Sequence, residues 1–491
     1  MISLRGRCGE LTWGRALAVI ATFGAVLRLV LLARQPLGYD EDFTAAVVAK
    51  PLGEMLAAVG RDSAPPLFYV AEWLVAQFWQ GPAGLRLVPA IAGVALIPLL
   101  AVLARRGASA AGGAGDAAGL WAGALAAVLP ATLLYSENAR MYAAAGVLVV
   151  AATLLLWRAI ERPGLWRWIG YGVAAAAAVW TDYFAAVALL GVLVAAAWLR
   201  PTRRALVLAV AVTAVACASL TPWLVAARDQ FAHAGSGFWV QPLGLESVAG
   251  TVGQLFAGPP VDPGIKGREV LIGLQVVAVV AGSLALAAVA FVWRHRPESR
   301  RPIAFLLVAC SGVVGLAIVS VWRPLLEARY AEVMWLPLFA LAGAGLAALP
   351  RRLAAALIVA VAVPALALGA TITHPETASL LPGIEAQLGR HDLVAADADH
   401  YLAVLDAGDD QVRAQLHLLA DVDPPWYFGT AAYPAGGVIH AVPVDVVANR
   451  GSIFWVAGPE ATPPTLPAGY RVLDRRCAAL VCVTVYGPAG G

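Results

Sequence analysis

About eleven long apolar runs, with arginines clustered at every second boundary between them, constrain this chain more than any other feature. The runs fall near residues 16–33, 85–104, 117–134, 141–157, 166–181, 183–199, 205–226, 269–293, 303–321, 331–349 and 353–370. Most approach the ~17–25 residues that cross a bilayer, and tilt or local thinning absorbs the two shorter ones. The clusters are Arg5/Arg7/Arg15, Arg105/Arg106, Arg158/Arg162/Arg167, Arg200/Arg203/Arg204, Arg294/Arg296/Arg300/Arg301 and Arg351/Arg352. Positive residues favour the cytoplasmic side, so the alternation predicts a cytoplasmic N-terminus and an external C-terminus. Hydrophobic residues make up 60% of the chain, against about 45–50% in soluble domains. The expectation is a polytopic α-helical protein of the cell membrane, with membrane lipids as neighbours. A net charge of +3 gives no reason to expect nucleic acid. No small-x-small site closely follows the first run in "LLARQPLG", so that run reads as an uncleaved anchor rather than a signal peptide.

This topology puts the acidic run "YDEDFT" outside, just past the first span, in an outer loop over 35–83. "DFTAAVVAKPLGEMLAAVG" and "PPLFYVAEWLVAQFWQ" carry apolar residues at helical spacing. Each suits a helix lying in the interface, with Tyr69, Trp73 and Trp79 at headgroup depth. Such helices would hold Asp40 and Glu41 rigidly at the membrane boundary. Further polar residues fall on the same side: Asp62, Arg86, Tyr135, Glu137, Arg140, Tyr142, Asp182, Arg329 and Tyr330. Arginines at outer span ends run against the positive-inside bias, and boundary charges are usually paired or functional. Local pairing is the plain alternative, Arg140 with Glu137 and Arg329 with Glu327 or Glu332. Taken together, acids and cations on one face suit a lipid-linked phosphate held beside a general base. Breaking a sugar–phosphate bond leaves charge on phosphate, which arginines stabilise, while a carboxylate takes the acceptor's proton. Such a displacement inverts the sugar and asks for no metal, and no His/Cys/Asp cluster here has metal-ligand spacing. No cofactor is expected.

The ordered motifs resemble those of the GT-C superfamily of membrane glycosyltransferases, specifically the bacterial branch related to protein O-mannosyltransferases (glycosyltransferase family 39) and lipid A aminoarabinose transferases. An aromatic-x-Asp-Glu motif corresponds to "YDEDFT", Pro-Pro-Leu-Tyr-Tyr to "PPLFYV", Leu-Arg-Leu-Pro-like text to "LRLVPAIAG", and Tyr-Ser-Gln-Glu-Ala-Arg-Met-Tyr to "YSENARMY". A late Arg-Tyr before a Pro-containing span corresponds to "ARYAEVMWLPLFALAGAGL". The resemblance covers about residues 15–350. It implies a polyprenyl-phosphate sugar donor, an extracytoplasmic site, and a glycan, lipid or protein acceptor in the cell envelope. It carries the base to Asp40, with Glu41 as neighbour or substitute, and donor-phosphate contacts to Arg140 and Arg329. Asp62, Arg86, Tyr135, Tyr142, Asp182 and Tyr330 are further expected substrate contacts. The chain departs from the pattern at Ala64, where many members have His, at Thr181-Asp182-Tyr183, where many have Thr-His-Tyr, and at Glu137-Asn138 in place of Gln-Glu. These departures loosen any transfer of sugar or acceptor identity; mannose and arabinose are the sugars considered.

Residues 1–370 thus read as the transmembrane module, with a second large outer loop over 227–268. There "GFWVQPLGLESVAGTVGQLF" suggests another short helix, with His233, Trp239 and Gln241 as loop polar groups. Residues 371–491 change composition. "HDLVAADAD", "QVRAQLHLLA", "SIFWVAG" and "CVTVYG" read as strands and "DHYLAVLDAG" as a helix, a small external α/β domain. Asp397, Asp399 and His400 follow a strand there. Of five cysteines, Cys477 and Cys482 flank "AALV" where a hairpin would join them as a disulfide in an oxidising compartment. Two rival readings stand beside the transferase: a transporter or lipid flippase, and a catalytically silent scaffold on the same fold. The first would place polar groups near the bilayer midplane, often in internal repeats, which this chain lacks.

Overall fold

The structure is a computed structural model that describes residues 4–108, 114–199, 201–228, 230, 240–261, 267–295, 300–371, 376–425, 429–463, 465–478 and 480–489. Among these, seven helices are long and apolar enough to cross a membrane: Thr12–Val30, Leu87–Ala108, Tyr142–Glu161, Arg203–Ala226, Arg268–His295, Ile303–Ser320 and Arg351–Ala370. An eighth candidate is the pair Gly115–Val128 and Pro130–Ser136, bent by 56°. Three more helices occupy the remaining expected segments. Leu165–Thr181 and Phe184–Ala196 are shorter, and Ala328–Leu346 begins with Arg329 and Glu332. That last helix is buried along most of its length and forms the axis of the bundle.

The bend has an identifiable cause. Pro130 opens the second half-helix, which leaves carbonyls at the end of the first without helical donors. Arg28, fully buried, donates to Ala126 O (3.1 Å), Ala127 O (3.2 Å) and Thr132 O (3.4 Å), and to Ser136 Oγ (3.0 Å). One guanidinium thus caps a broken span and fixes where the following turn, 137–141, emerges. Gly93 makes room for it: a Cβ there would stand 1.9 Å from Ser136 Oγ and 2.8 Å from Arg28 Nε.

The first outer loop folds into helices Tyr39–Val48, Leu52–Val59 and Leu67–Ala76. Trp79 lies exposed as expected of a headgroup-depth residue, and Trp73 is half-buried with Nε1 on Lys50 O (3.1 Å). Tyr69 departs from the expectation: it is fully buried, turned inward between Phe43 and Phe68. In the second loop the expected helix is Leu245–Ala257. Leu255 and Phe256 are buried in the bundle, with Phe256 6.0 Å from Phe339. Gln241 is exposed, and His233 and Trp239 lie outside the described residues.

The C-terminal region holds a six-stranded sheet, β1 (Leu393–Ala396), β2 (Leu416–Leu419), β3 (Val438–Ile439), β4 (Ile453–Ala457), β5 (Tyr470–Ala478) and β6 (Val481–Pro488), in the order β3-β2-β1-β4-β6-β5. The first four strands in that order run parallel, and β6 and β5 pair antiparallel. Cys477 and Cys482 are cross-strand partners joined by a disulfide. One hydrophobic core joins this sheet to the first loop. It includes Phe43, Val47, Met55 and Tyr69 on one side and Tyr401, Leu402, Phe454 and Val483 on the other. Gly429 sits at the seam in the left-handed region (φ 63°), where a Cβ would lie 3.0 Å from the Phe43 ring; glycine suits both demands.

Candidate active site

The three successive acids occupy the first turn of helix Tyr39–Val48, where the exposed N–H groups favour negative charge. A helix turns roughly 100° per residue, so the three side chains part company. Asp40 points to a half-exposed cluster and accepts from Arg329 Nη1 at 2.5 Å. Glu41 points into the protein. Asp42 is buried toward Asp406 on helix Tyr401–Ala407, and burial, with Asp406 and Glu41 adding to it, holds its carboxyl well above the usual carboxylate range.

Glu41 was expected as the neighbour of the base or its substitute, and Arg86 as a substrate contact. The two instead form a closed ion pair with each other, only 1% and 2% exposed. Arg86 Nε and Nη2 fork onto Glu41 Oε1 (2.7 Å) and Oε2 (2.6 Å). The remaining donors go to Leu32 O (3.1 Å), Gln35 O (2.8 Å) and Pro36 O (2.9 Å). A guanidinium has five N–H donors, and all are used. Glu41 also accepts from Gly38 N (2.9 Å) and Ala139 N (2.8 Å). The pair ties the end of the first span, the helix bearing Asp40 and the turn bearing Arg140 into one unit.

Thr44 Oγ1 adds a bond to Ala139 O (2.9 Å) across the same junction. Arg140 is buried beside Phe43, its Cζ 5.8 Å from the ring, and its Nε has no partner among the described residues. Burial disfavours its charge, but Tyr69, Asp40, Tyr142 and Asp62 more than offset this and keep it protonated. The groups that hold Arg140 charged are Tyr69, Asp40, Tyr142 and Asp62, and Arg329 bonds Asp40 across 289 residues. Glu137 faces Arg28 and Arg86, and burial pushes its carboxyl up to about 7.

Asp62 is buried, bonded by Ser63 Oγ (3.2 Å), with its carboxyl pushed up by burial and drawn back by Arg140. Tyr142 hydrogen-bonds Arg329 and meets Tyr135 edge-on at 5.4 Å. Tyr330 stacks on Phe184 at 4.6 Å. Asp182 Oδ1 accepts from Phe184 N (2.8 Å), and burial pushes its carboxyl up to about 6, against the pull of that N–H and of Arg140. The fold therefore gathers Asp40, Asp62, Arg140, Tyr135, Tyr142, Asp182, Arg329 and Tyr330 and sets Glu41 and Arg86 behind them. The sheet domain reaches the rim, where Tyr433 faces Tyr39 closely enough to act on it electrostatically. His400 bonds Asp397 (2.6 Å) at the end of β1. Among the described residues, no group of three or more His, Cys, Asp or Glu stands close enough to hold a metal ion.

Arg28, inside the first apolar run, carries no sequence signal of its capping role, and the helical spacing places Tyr69 at headgroup depth rather than in the core. Nothing in the motifs singles out Glu72 or gives Glu332 a role in the site. Both are fully buried acids with unpartnered oxygens. Helical spacing was the available signal, since Glu72 follows Tyr69 and Glu332 follows Arg329 by three residues, on one face.

Fold and charge cluster together define the class: a multi-pass membrane protein with the GT-C fold and a small C-terminal α/β domain. More particularly, the chain is similar to ArnT from Cupriavidus metallidurans, an aminoarabinose transferase. The apo crystal structure of that protein superposes with a TM-score of 0.62 at 17% identity, over 97% of this chain and 98% of that one. Its structure bound to undecaprenyl phosphate gives 0.60 at 16% identity, over 95% and 97%. The archaeal oligosaccharyltransferase AglB from Archaeoglobus fulgidus, in complex with an inhibitory peptide and a dolichol-phosphate, gives 0.50 at 13% identity, over 80% and 63%. No family model matches the chain, and no curated protein matches its sequence. At these identities the shared property is the fold.

Proposed function

We propose that this chain is a membrane glycosyltransferase that moves a sugar from a polyprenyl phosphate to an extracytoplasmic acceptor hydroxyl. The supporting observation is the contact of Asp40 with Arg329 at 2.5 Å, beside the buried cation Arg140. A carboxylate base and two phosphate-binding cations are what the transfer requires. The two neighbours that bind undecaprenyl phosphate and dolichol-phosphate make a lipid phosphate the natural donor class. The alternation of arginines favours the plasma membrane, with the site and sheet domain outside.

In this reading the acceptor oxygen attacks the anomeric carbon as its proton passes to Asp40. The bond from that carbon to the phosphate oxygen breaks on the opposite face. Its electron pair stays on the phosphate, where Arg140 and Arg329 stabilise it. One displacement inverts the anomeric centre. Arg329 holds Asp40 through Nη1, and its guanidinium has further N–H donors for a phosphate, so one side chain orients the base beside the leaving group. The sugar is hexose- or pentose-like, with mannose and arabinose the first to try. The acceptor is an envelope glycan, lipid or protein.

The test is incubation of the purified protein with labelled polyprenyl-phosphate sugars, following transfer or donor hydrolysis. Asp40→Asn should abolish turnover while donor binding survives. Full activity in that variant, or no turnover of any donor by the wild type, overturns the reading.

A further inference from the structure

Beyond the cation cluster, the helix carrying Arg329 continues a polar face inward. Glu332 lies one turn further, about 4.5 Å along the axis. Trp335 lies a further turn on. Glu332 is 1% exposed and Trp335 4%, and neither Glu332 Oε2 nor Trp335 Nε1 has a partner among the described residues. Asp182, 2% exposed, is the charged group acting on Glu332, and its Oδ2 is also unpartnered. Buried polar groups are nearly always bonded, so three such atoms together need an explanation. The Phe184–Tyr330 stack holds the turn bearing Asp182 against the helix bearing Glu332, so the arrangement is rigid.

We propose that Asp182, Glu332 and Trp335 form the subsite that recognises the sugar ring of a lipid-linked donor through its hydroxyls. The donor and acceptor types select the ligand. Carboxylates accept, whereas an indole only donates. A hydroxyl does both and can bridge them; an ammonium group has no lone pair for the indole, and Arg140 already supplies positive charge near Asp182. The depth fits as well. A phosphate at Arg140 and Arg329 leaves the attached ring within reach of the next turn of the same helix. The inference rests on the transferase reading above and assigns its sugar selectivity to this face.

The test is equilibrium binding to the full-length protein in nanodiscs, comparing plain undecaprenyl phosphate with undecaprenyl-phosphate hexoses and pentoses. The wild type should bind one sugar lipid more tightly than the plain lipid. Glu332→Gln, Asp182→Asn and Trp335→Phe should each shrink that difference by about tenfold, the effect of one lost hydrogen bond to a charged or buried partner. Plain-lipid binding should stay unchanged in Glu332→Gln and Trp335→Phe, whereas Arg140→Ala should weaken both ligands alike. Plain-lipid binding also reports folding, so a variant that loses it is set aside and the other two decide. If the wild type prefers a sugar lipid and the folded variants keep that preference, the subsite is wrong while the transferase reading stands. If the wild type prefers none, both fall.

Discussion

Replacing Arg86 with leucine distinguishes a positioning role from a substrate contact. In the folded protein this side chain bonds Glu41 twice and three carbonyls once each, at 2.6–3.1 Å. Arg86→Leu leaves a carboxylate that is 1% exposed with only the N–H groups of Gly38 and Ala139. Removing one partner of a buried ion pair costs about 3–5 kcal/mol. Each orphaned carbonyl adds about 1 kcal/mol where water does not replace the donor. With all three carbonyls left dry the loss is about 6–8 kcal/mol, comparable to the whole margin of many domains, about 5–15 kcal/mol. Glu41→Gln in the leucine background removes the stranded charge yet keeps an acceptor for one backbone N–H. The double variant should therefore recover about 2–3 kcal/mol relative to Arg86→Leu, a coupling typical of residues in one network. Thermal unfolding of the four proteins in detergent, with donor binding alongside, measures this. An Arg86→Leu protein as stable as the wild type but unable to bind donor would refute the argument and return Arg86 to the substrate.

Two further perturbations test the scaffold. Glu72 is fully buried without a partner for either oxygen, and burial raises its carboxyl from 4.5 to about 9. Its folded-state value lies above its unfolded one, so its contribution is complete below about 4.5 and is lost as pH rises toward 9. The loss is about 1.4 kcal/mol per pH unit, or about 3 kcal/mol between pH 4.5 and 7. Glu72→Gln should flatten the stability–pH curve across that window, and an unchanged slope would assign the pH dependence elsewhere. Arg28→Leu should cost about 3 kcal/mol or more, since it uncaps the bent span. It should also lower donor affinity, by freeing the turn that carries Arg140. Normal donor binding in a destabilised Arg28→Leu protein would show that the bend does not set that turn.

Most of the membrane body was legible because a span must be apolar wherever lipid touches it. The same reasoning weakens where protein replaces lipid. Helix Ala328–Leu346 sits at the centre of the bundle, so Arg329 and Glu332 are tolerated in it and hydropathy alone understates it. In the sheet, β1 and β4 are continuous apolar runs with both faces covered, the usual signature of buried parallel strands. β5 at the edge carries Arg471, Asp474, Arg475 and Arg476 mostly exposed, so it has no alternation to read. The charged residues of the site were legible as a set clustered at one end of the apolar runs, not by their partners. Arg86 meets Glu41 over a separation of 45 residues, and nothing local in "LRLVPAIAG" distinguishes a staple from a ligand contact.

The sheet domain has the least sequence signal and the closest tie to the chemistry. Helix Tyr39–Val48 is too short to hold itself against solvent, since isolated helices below about 12–15 residues are marginal. It is held on one side by the Glu41–Arg86 pair and on the other by Tyr401 and Leu402 of the sheet domain, in the core shared with Phe43 and Val47. Tyr39, next to the proposed base, faces Tyr433. Asp42, two residues beyond the base, faces Asp406 across the same seam. The position of Asp40 is therefore set jointly by the first long apolar helix and the C-terminal sheet domain. An acidic run three residues long serves this arrangement because its members do different work. One carboxylate stays at the half-exposed rim, one locks the loop to the span, and one is buried where the loop meets the sheet.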